Sequence, residues 1–259
     1  MYRSLLLLVI LLFLAPAPLQ PVRAACNPDA FLRRVSVSSS GEQGNGHSYS
    51  GALSANGRMV GFVSNASNLV PNDTNNATDA FIHNLDTCET SMVSINANGD
   101  QTIGIQDRVA LSEDGHLVVF ASTASNLVPG DGNSVSDIFF RDMISNTVQR
   151  ISVGPGGADS NSASVMSQMT PDGNWIVFSS SATNLQSLVP VPGGLIDQVY
   201  VFNRQTGLNE VVSLGIAGQA ANGSSFAPDI SADGRFVTFT SQATNLVPED
   251  STSDFDVYR

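Results

Sequence analysis

Pairs of aspartates six residues apart are the repeated arrangement in this sequence that could bind a metal ion. A polar residue, asparagine or threonine, lies two positions after the first acid of each pair. Oxygen ligands at such close spacing suit calcium, although these loops lack the glycine and the bidentate glutamate of an EF-hand. Alternatively, the side chains cap amides of their own loops. The predicted calcium ligands are Asp73, Asn75 and Asp79 in the first loop, Asp131, Asn133 and Asp137 in the second, and Asp250 and Asp256, which flank Thr252, in the last.

Three histidines are the other candidates for acid–base or metal chemistry. His47, His83 and His116 fall at different positions of the repeat described below, so we do not expect them to converge. The sequence contains no Cys-x-x-Cys or His-Glu-x-x-His zinc motif and no Gly-x-Ser-x-Gly nucleophile elbow. A Ser/His/Asp triad is assembled in space, so the sequence leaves it open. We predict structural or solvent-exposed histidines and name no catalytic residue.

All of these residues lie in a unit that occurs four times. Each copy has a Ser/Thr-x-Asp/Asn-Gly turn and then an apolar run that ends in phenylalanine. The phenylalanines Phe62, Phe120, Phe178 and Phe239 recur after 58, 58 and 61 residues. Such a period indicates a solenoid, a propeller or an array. Asn-Gly or Asp-Gly between two apolar stretches predicts a tight hairpin, because both central residues of the turn take a positive φ.

The repeat predicts four strands per unit. The first two flank the Gly turn, and the second is apolar at consecutive positions, which predicts that both of its faces are covered. The third strand begins with an aspartate, which we assign to Asp197 in the third unit, where Val191 replaces the first acid of the loop. We expect the third strands at residues 79–82, 137–140, 197–200 and 256–258, and the fourth strands at residues 92–95, 150–153 and 210–213.

The fourth unit stops at Arg259 before its last strand, whereas residues 32–37 match that strand and precede the first unit. A ring of blades closes well when an N-terminal strand completes the C-terminal sheet, because no edge is then left unpaired. The prediction is an all-β propeller over residues 26–259, with four blades of four antiparallel strands and the N-terminal strand closing the last blade. An incomplete ring, which two chains could complete as a dimer, is the alternative.

The innermost strands of such a ring would line its axis, where propellers often hold ligands. The sequences of these strands are similar between units, but a few aligned positions differ. These positions include Arg108 in the second unit, Gln168 in the third and Asp229 in the fourth. We predict that these three residues bind a ligand at the axial mouth. The alternative is that Arg108 and Asp229 form an ion pair that fills the channel.

These units resemble the WD40-like propeller repeats of the TolB type, which occur in exported bacterial proteins. The Ser231-Ala232-Asp233-Gly234 turn, the apolar run ending at Phe239 and the strand led by Asp256 carry the resemblance, together with their copies across residues 31–259. The resemblance implies a propeller that binds proteins, peptides or sugars.

Residues 1–25 predict a secretory signal peptide. Arg3 precedes an apolar run at residues 5–14, and a small-residue site suggests cleavage after Ala24 or Ala25. The run is shorter than a membrane span, so an uncleaved anchor is the less favoured alternative. We expect a periplasmic or extracellular protein without membrane insertion after cleavage. Cys26 and Cys88 could pair in that oxidising compartment, which the sequence leaves open.

The net charge of the chain indicates which classes of partner are disfavoured. The 11 basic residues, all arginine, and 23 acidic residues give a formal charge of -12, which disfavours nucleic acid and anionic lipid as partners. The leading hypothesis is an exported, non-enzymatic propeller that binds a protein, peptide or glycan. The alternatives are a carbohydrate-active lyase or hydrolase on a propeller scaffold, and a calcium-stabilised structural or surface module.

Overall fold

The computed structural model describes residues 32–192 and 195–259, without the side chains of Gln106 and Asp107. The predicted signal peptide and Cys26 therefore lie outside the described residues. Cys88 is disulfide-bonded, and Cys26 is the other cysteine of the sequence. Within the described ranges, no helix has the length and apolar character needed to cross a bilayer.

Fifteen strands of the described chain form four antiparallel sheets in chain order, which we call blades 1 to 4. Strands that follow each other in sequence pair with each other, so each blade is a meander. Blade 1 contains β1 (Ser48–Leu53), β2 (Met59–Ser64), β3 (Asp79–Asn84) and β4 (Thr90–Met92). Blade 2 contains β5 (Ile105–Leu111), β6 (Leu117–Ser122), β7 (Asp137–Asp142) and β8 (Thr147–Arg150). Blade 3 contains β9 (Ser164–Met169), β10 (Trp175–Ser180), β11 (Gln198–Asn203) and β12 (Leu208–Val211). Blade 4 contains β13 (Ser225–Ile230), β14 (Val237–Ser241) and β15 (Asp256–Tyr258).

The predicted all-β, propeller-like architecture with four blades is confirmed. The first and second strands flank the Gly turn in each unit, as predicted, and the turn glycines have positive φ, for example 71° at Gly57 and 74° at Gly115. Three of the four blades have the four strands expected for each. The hairpins follow from local turn chemistry, because glycine takes this backbone conformation without steric cost.

The fourth strands end earlier than predicted, because a serine side chain replaces the backbone ladder. In blade 1 the Ser94 hydroxyl accepts the Ala80 N–H (3.1 Å) and donates to the Asp79 carboxylate (2.6 Å). Ser152 makes the same pair of bonds in blade 2, with Ile138 and Asp137. The strand therefore stops at Met92 in blade 1 and at Arg150 in blade 2, where strands had been expected to begin.

The third strand of blade 3 is displaced by one residue from its predicted alignment. Ser180 pairs with Gln198, just as Ser122 pairs with Asp137 in blade 2. Gln198 is therefore the equivalent of the leading aspartates, and Asp197 lies one position before it. The longer loop of blade 3 obscures this register in the sequence, whereas the stacking of Phe178 on Tyr200 (5.8 Å between ring centres) fixes it in the fold.

Residues 32–38 lie against blade 1, which corrects the predicted closure of the last blade. The Thr90 hydroxyl donates to the Val37 carbonyl (2.5 Å), and the Thr90 N–H donates to the Ser39 hydroxyl (3.0 Å). Arg33 donates to the Leu85 carbonyl (3.3 Å). In the described chain the fourth sheet has three strands, and Val257 on its last strand is 78% exposed.

The core lies between successive blades. β1 and β2 pack on β5, β5 and β6 pack on β9, and β9 and β10 pack on β13. In every blade, the phenylalanine that recurs in the second strand of each repeat stacks on an aromatic ring of the third strand. The stacked pairs are Phe62 with Phe81, Phe120 with Phe139, Phe178 with Tyr200, and Phe239 with Tyr258, at 5.7 to 5.9 Å between ring centres.

A large side chain at the start of each second strand packs on the turn glycine of the next blade. Trp175 lies so close to Gly234 that a Cβ there would come within 2.7 Å of its ring. Met59 and Leu117 contact Gly115 and Gly173 in the same way. Phe236 holds the equivalent position in blade 4 and is 42% exposed.

This contact between blades predicts that Trp175 and Phe236, at equivalent positions of the repeat, contribute unequally to the free energy of unfolding. We expect Trp175→Ala to lower the free energy of unfolding by about 2 to 3 kcal/mol, because the indole loses its contact with the next blade. Phe236→Ala should cost less than about 1 kcal/mol, because its ring remains partly in water. Urea unfolding of both variants measures the difference, and equal costs would contradict this packing.

Candidate functional site

The inner strands share an irregularity at the predicted axial mouth. The pairing register shifts near the middle of β1, β5, β9 and β13. Ser50, Met166 and Ala227, at equivalent positions of three of these bulges, have φ of 55°, 58° and 51°. A non-glycine residue in this region costs about 1 to 3 kcal/mol, and such strain is concentrated at functional sites. Bulges also redirect side chains beside binding sites.

A cavity of about 480 Å³ opens at these bulges. Arg108 and Gln168 both lie in its wall, and their binding of a ligand stays a prediction. Asp229 is exposed on β13, where its carboxylate accepts the Ile230 N–H (2.9 Å), and it is not part of the wall. The described lining consists of Ser50, Gly51, Ala52, Arg108, Val109 and Gln168.

The mouth combines small side chains with a few hydrogen-bonding groups. Arg108 offers a guanidinium group, Gln168 an amide and Ser50 a hydroxyl. Among the described lining residues, Arg108 is the one ionisable side chain. This set can orient a carboxylate or a polar chain by hydrogen bonds, but it does not contain the acid and base pair of a hydrolytic centre.

The acidic loop of blade 2 already holds a cation, the guanidinium group of Arg150. Nη1 of Arg150 lies 2.7 Å from Oδ1 of Asp131 and 3.4 Å from Oδ2 of Asp137, and Nη2 bonds to Asp159. The Arg150 side chain is 6% exposed, and those of Asp131 and Asp137 are 4% and 0% exposed. A buried arginine therefore neutralises the predicted calcium ligands of this loop.

Blade 1 has the same two acids without the arginine. Asp79 is fully buried, and its Oδ1 accepts hydrogen bonds from Ser94 (2.6 Å) and Asn75 (3.2 Å). Among the described residues, its Oδ2 has no hydrogen-bond partner. Burial raises the pKa of Asp79, and the bonds from Ser94 and Asn75 oppose that rise. Burial and then the charge of Asp79 raise the pKa of Asp73.

The amides of these loops cap their own backbone, as the alternative interpretation held. Asn75 accepts the Ala77 N–H (3.0 Å), and Asn133 accepts the Val135 N–H (3.2 Å). In blade 4, Asp250 accepts the Thr252 N–H (3.2 Å) and the Tyr258 hydroxyl, while Asp256 is exposed. Across the described chain, no three His, Cys, Asp or Glu side chains form a cluster suited to a metal ion.

The histidines lie apart, as expected. His83 is buried on β3, where its Nδ1 contacts the Thr90 hydroxyl (2.8 Å), and burial followed by the charge of Arg33 lowers its pKa. His47 precedes β1, and His116 lies in the turn before β6; both are exposed.

A groove of about 880 Å³ between blades 1 and 2 contains a residue that the sequence reasoning missed, Arg141. This guanidinium is 2% exposed and donates to the Ile95 carbonyl and the Asn146 side chain, both at 2.5 Å. It has no acidic side chain within ion-pair distance among the described residues, and burial lowers its pKa. The sequence could have indicated Arg141, because it is a charged residue that directly follows the apolar run of the third strand. Arg150 could have been noticed as a basic residue 13 positions after Asp137.

Comparison with known proteins finds similar solved structures but no match by sequence. No family model matches it, and no curated protein matches its sequence. The solved structures that it resembles are TolB-type and other β-propeller proteins.

TolB from Acinetobacter baumannii has a TM-score of 0.49 at 18% identity, over 82% of this chain and 40% of that one. The propeller domain of the Trilobed protease from Pyrococcus furiosus has a TM-score of 0.48 at 12% identity, over 82% of this chain and 53% of that one. The putative TolB from Agrobacterium tumefaciens gives 0.47 at 18% identity, over 74% and 53%. This chain thus spans about half the length of these proteins.

Proposed function

We propose that this chain is an exported, non-enzymatic β-propeller that binds a protein, peptide or glycan partner at the mouth of its inner strands. The observation that carries the proposal is the cavity of about 480 Å³ at the strained bulges of those strands. Arg108 and Gln168 supply the hydrogen-bonding groups of its wall. The small neighbours Gly51 and Ala52 leave room for an extended chain.

The lining favours binding over hydrolysis or elimination. Both reactions need an acid and a base held within reach of the same substrate bond. Among the described lining residues, Arg108 is the one ionisable side chain, so no second titratable group among them completes an acid and base pair. A guanidinium group donates hydrogen bonds to anionic or hydroxyl groups and has no acceptor atom.

A blocking substitution tests this site. A Cβ built on Gly51 meets no atom of the described residues within 4 Å, so Gly51→Trp starts a bulky side chain in open space at the cavity wall. We expect envelope-extract partners retained by the wild-type protein to fall about tenfold or more with Gly51→Trp. Quantitative mass spectrometry of the retained material measures the loss, and melting temperature confirms that the variant is folded.

Ser91→Trp is the matched control, because exposed Ser91 lines the groove beside Arg141 instead of the mouth. It should retain the partner at the wild-type level. Loss with Ser91→Trp and retention with Gly51→Trp would move the binding site to the groove. Equal retention by both variants would overturn a role for either cavity. Protease treatment of the extract distinguishes a protein or peptide partner from a glycan.

A further inference from the structure

Blades 1 and 2 hold the same acidic frame around one position that differs. Phe139 pairs with Arg150 in blade 2, and Phe81 pairs with Met92 at the same register in blade 1. Arg150 therefore corresponds to Met92. The acids Asp73 and Asp79 correspond to Asp131 and Asp137, and Gln101 corresponds to Asp159.

The surroundings of this position are also equivalent. Oε1 of Gln101 accepts the Thr74 N–H (3.1 Å), so it lies beside the loop of blade 1. Asp159 lies beside Gly132, the residue that corresponds to Thr74. Asn75 and Asn133 both donate to the leading aspartate of the third strand. Blade 1 thus retains two carboxylates and a third oxygen, but a thioether replaces the guanidinium that neutralises them in blade 2.

The unpartnered oxygen of Asp79 marks where the missing cation belongs. In blade 2 the corresponding atom, Oδ2 of Asp137, receives Arg150 and the amide of Asn133. In blade 1, Oδ2 of Asp79 is buried and has no hydrogen-bond partner in the part of the chain that the structure describes. A buried carboxylate oxygen without a partner is unfavourable, and a bound cation relieves that cost.

We propose that blade 1 binds a calcium ion between Asp73 and Asp79, with waters completing its ligand set. Calcium accepts six to eight oxygen ligands, including waters, in flexible geometry, whereas magnesium demands a near-ideal octahedron and zinc is held mainly by cysteine and histidine. Asn75 and Gln101 are second-sphere contacts, because their amide oxygens already accept the Ala77 N–H and the Thr74 N–H. The site is separate from the axial mouth and does not depend on the proposed function.

Calorimetry and thermal melts of the full chain, in calcium or in chelator, test the proposal. Two carboxylates predict a weak site, with a Kd of about 0.1 to 1 mM. At ten times that concentration the melting temperature should rise by about 3 to 6 °C. Magnesium at the same concentration should give a smaller shift.

Two variants place the ion. Met92→Arg introduces the cation that blade 2 carries, so it should raise the melting temperature in chelator and abolish the calcium shift. Asp79→Asn removes the charge but keeps the shape, and it should abolish the shift even if Met92→Arg does not fold. Asp250→Asn, in the corresponding loop of blade 4, is the control and should keep the full shift.

The proposal is overturned if calcium up to 10 mM, about ten times the weakest expected Kd, leaves the wild-type melting curve unchanged. It is also overturned if Asp79→Asn retains the shift, or if Asp250→Asn removes it.

Discussion

Replacing Phe120 with alanine is expected to lower the free energy of unfolding by about 3 to 5 kcal/mol. The ring is fully buried, and it stacks on Phe139 with 5.9 Å between ring centres. It belongs to the cluster that joins blades 1 and 2, which includes Val63 and Ile82 of blade 1. The truncation therefore leaves a cavity at an interface between blades. Such a loss is a large share of the ~5 to 15 kcal/mol that stabilises a typical domain.

Denaturant unfolding followed by tryptophan fluorescence measures this cost, since Trp175 is the single tryptophan. Phe178→Ala should behave like Phe120→Ala, because Phe178 is equally buried and stacks on Tyr200. His116→Ala, four residues before Phe120, is the control and should change stability by less than about 0.5 kcal/mol, since this side chain is exposed. If all three variants were equally stable, the second strands would not lie between blades.

Replacing Arg150 with methionine should be as costly, at about 3 to 5 kcal/mol, although methionine is the natural residue at this position of blade 1. The substitution leaves Asp131 and Asp137 buried without their cation. Attraction of the two acids to Arg150 is what offsets their burial, so the variant retains the desolvation penalty alone.

The salt bridge between Arg58 and Asp86 provides the control. Its atoms are 3.4 Å apart, but the two side chains are 68% and 57% exposed. Arg58→Met should therefore cost less than about 1 kcal/mol. Urea midpoints of the two variants give the comparison. Equal midpoints would show that the Arg150 cluster does not stabilise the protein.

Arg150→Met also tests the comparison between the blades. This variant should gain a calcium-dependent rise in melting temperature that the wild-type blade 2 lacks, because the acidic frame then resembles that of blade 1. A Met92→Arg background isolates this effect, since it removes the response of blade 1.

The sequence by itself determined the repeat, the hairpins and the all-β class. Each depends on local chemistry: the Asn-Gly or Asp-Gly turn requires a positive φ that glycine at positions such as Gly57 and Gly115 supplies, and the apolar run that follows needs cover on both faces. The sequence also singled out Arg108 and Gln168 where the inner strands differ between units; both lie in the wall of one cavity, and their binding of a ligand stays a prediction.

Only the tertiary structure decided that an arginine neutralises the acidic loop of blade 2 but not that of blade 1. Asp73 and Asp131 look alike in sequence, and the difference depends on a residue of the fourth strand, Met92 or Arg150, that reaches the loop across the sheet. The position of residues 32–38 was likewise not encoded locally. A strand-like segment can complete any open edge, and hydrogen bonds to Thr90 and Leu85 hold this one on blade 1. Pairing and charge compensation between distant segments depend on the distances that the whole fold sets, which a repeat pattern does not specify.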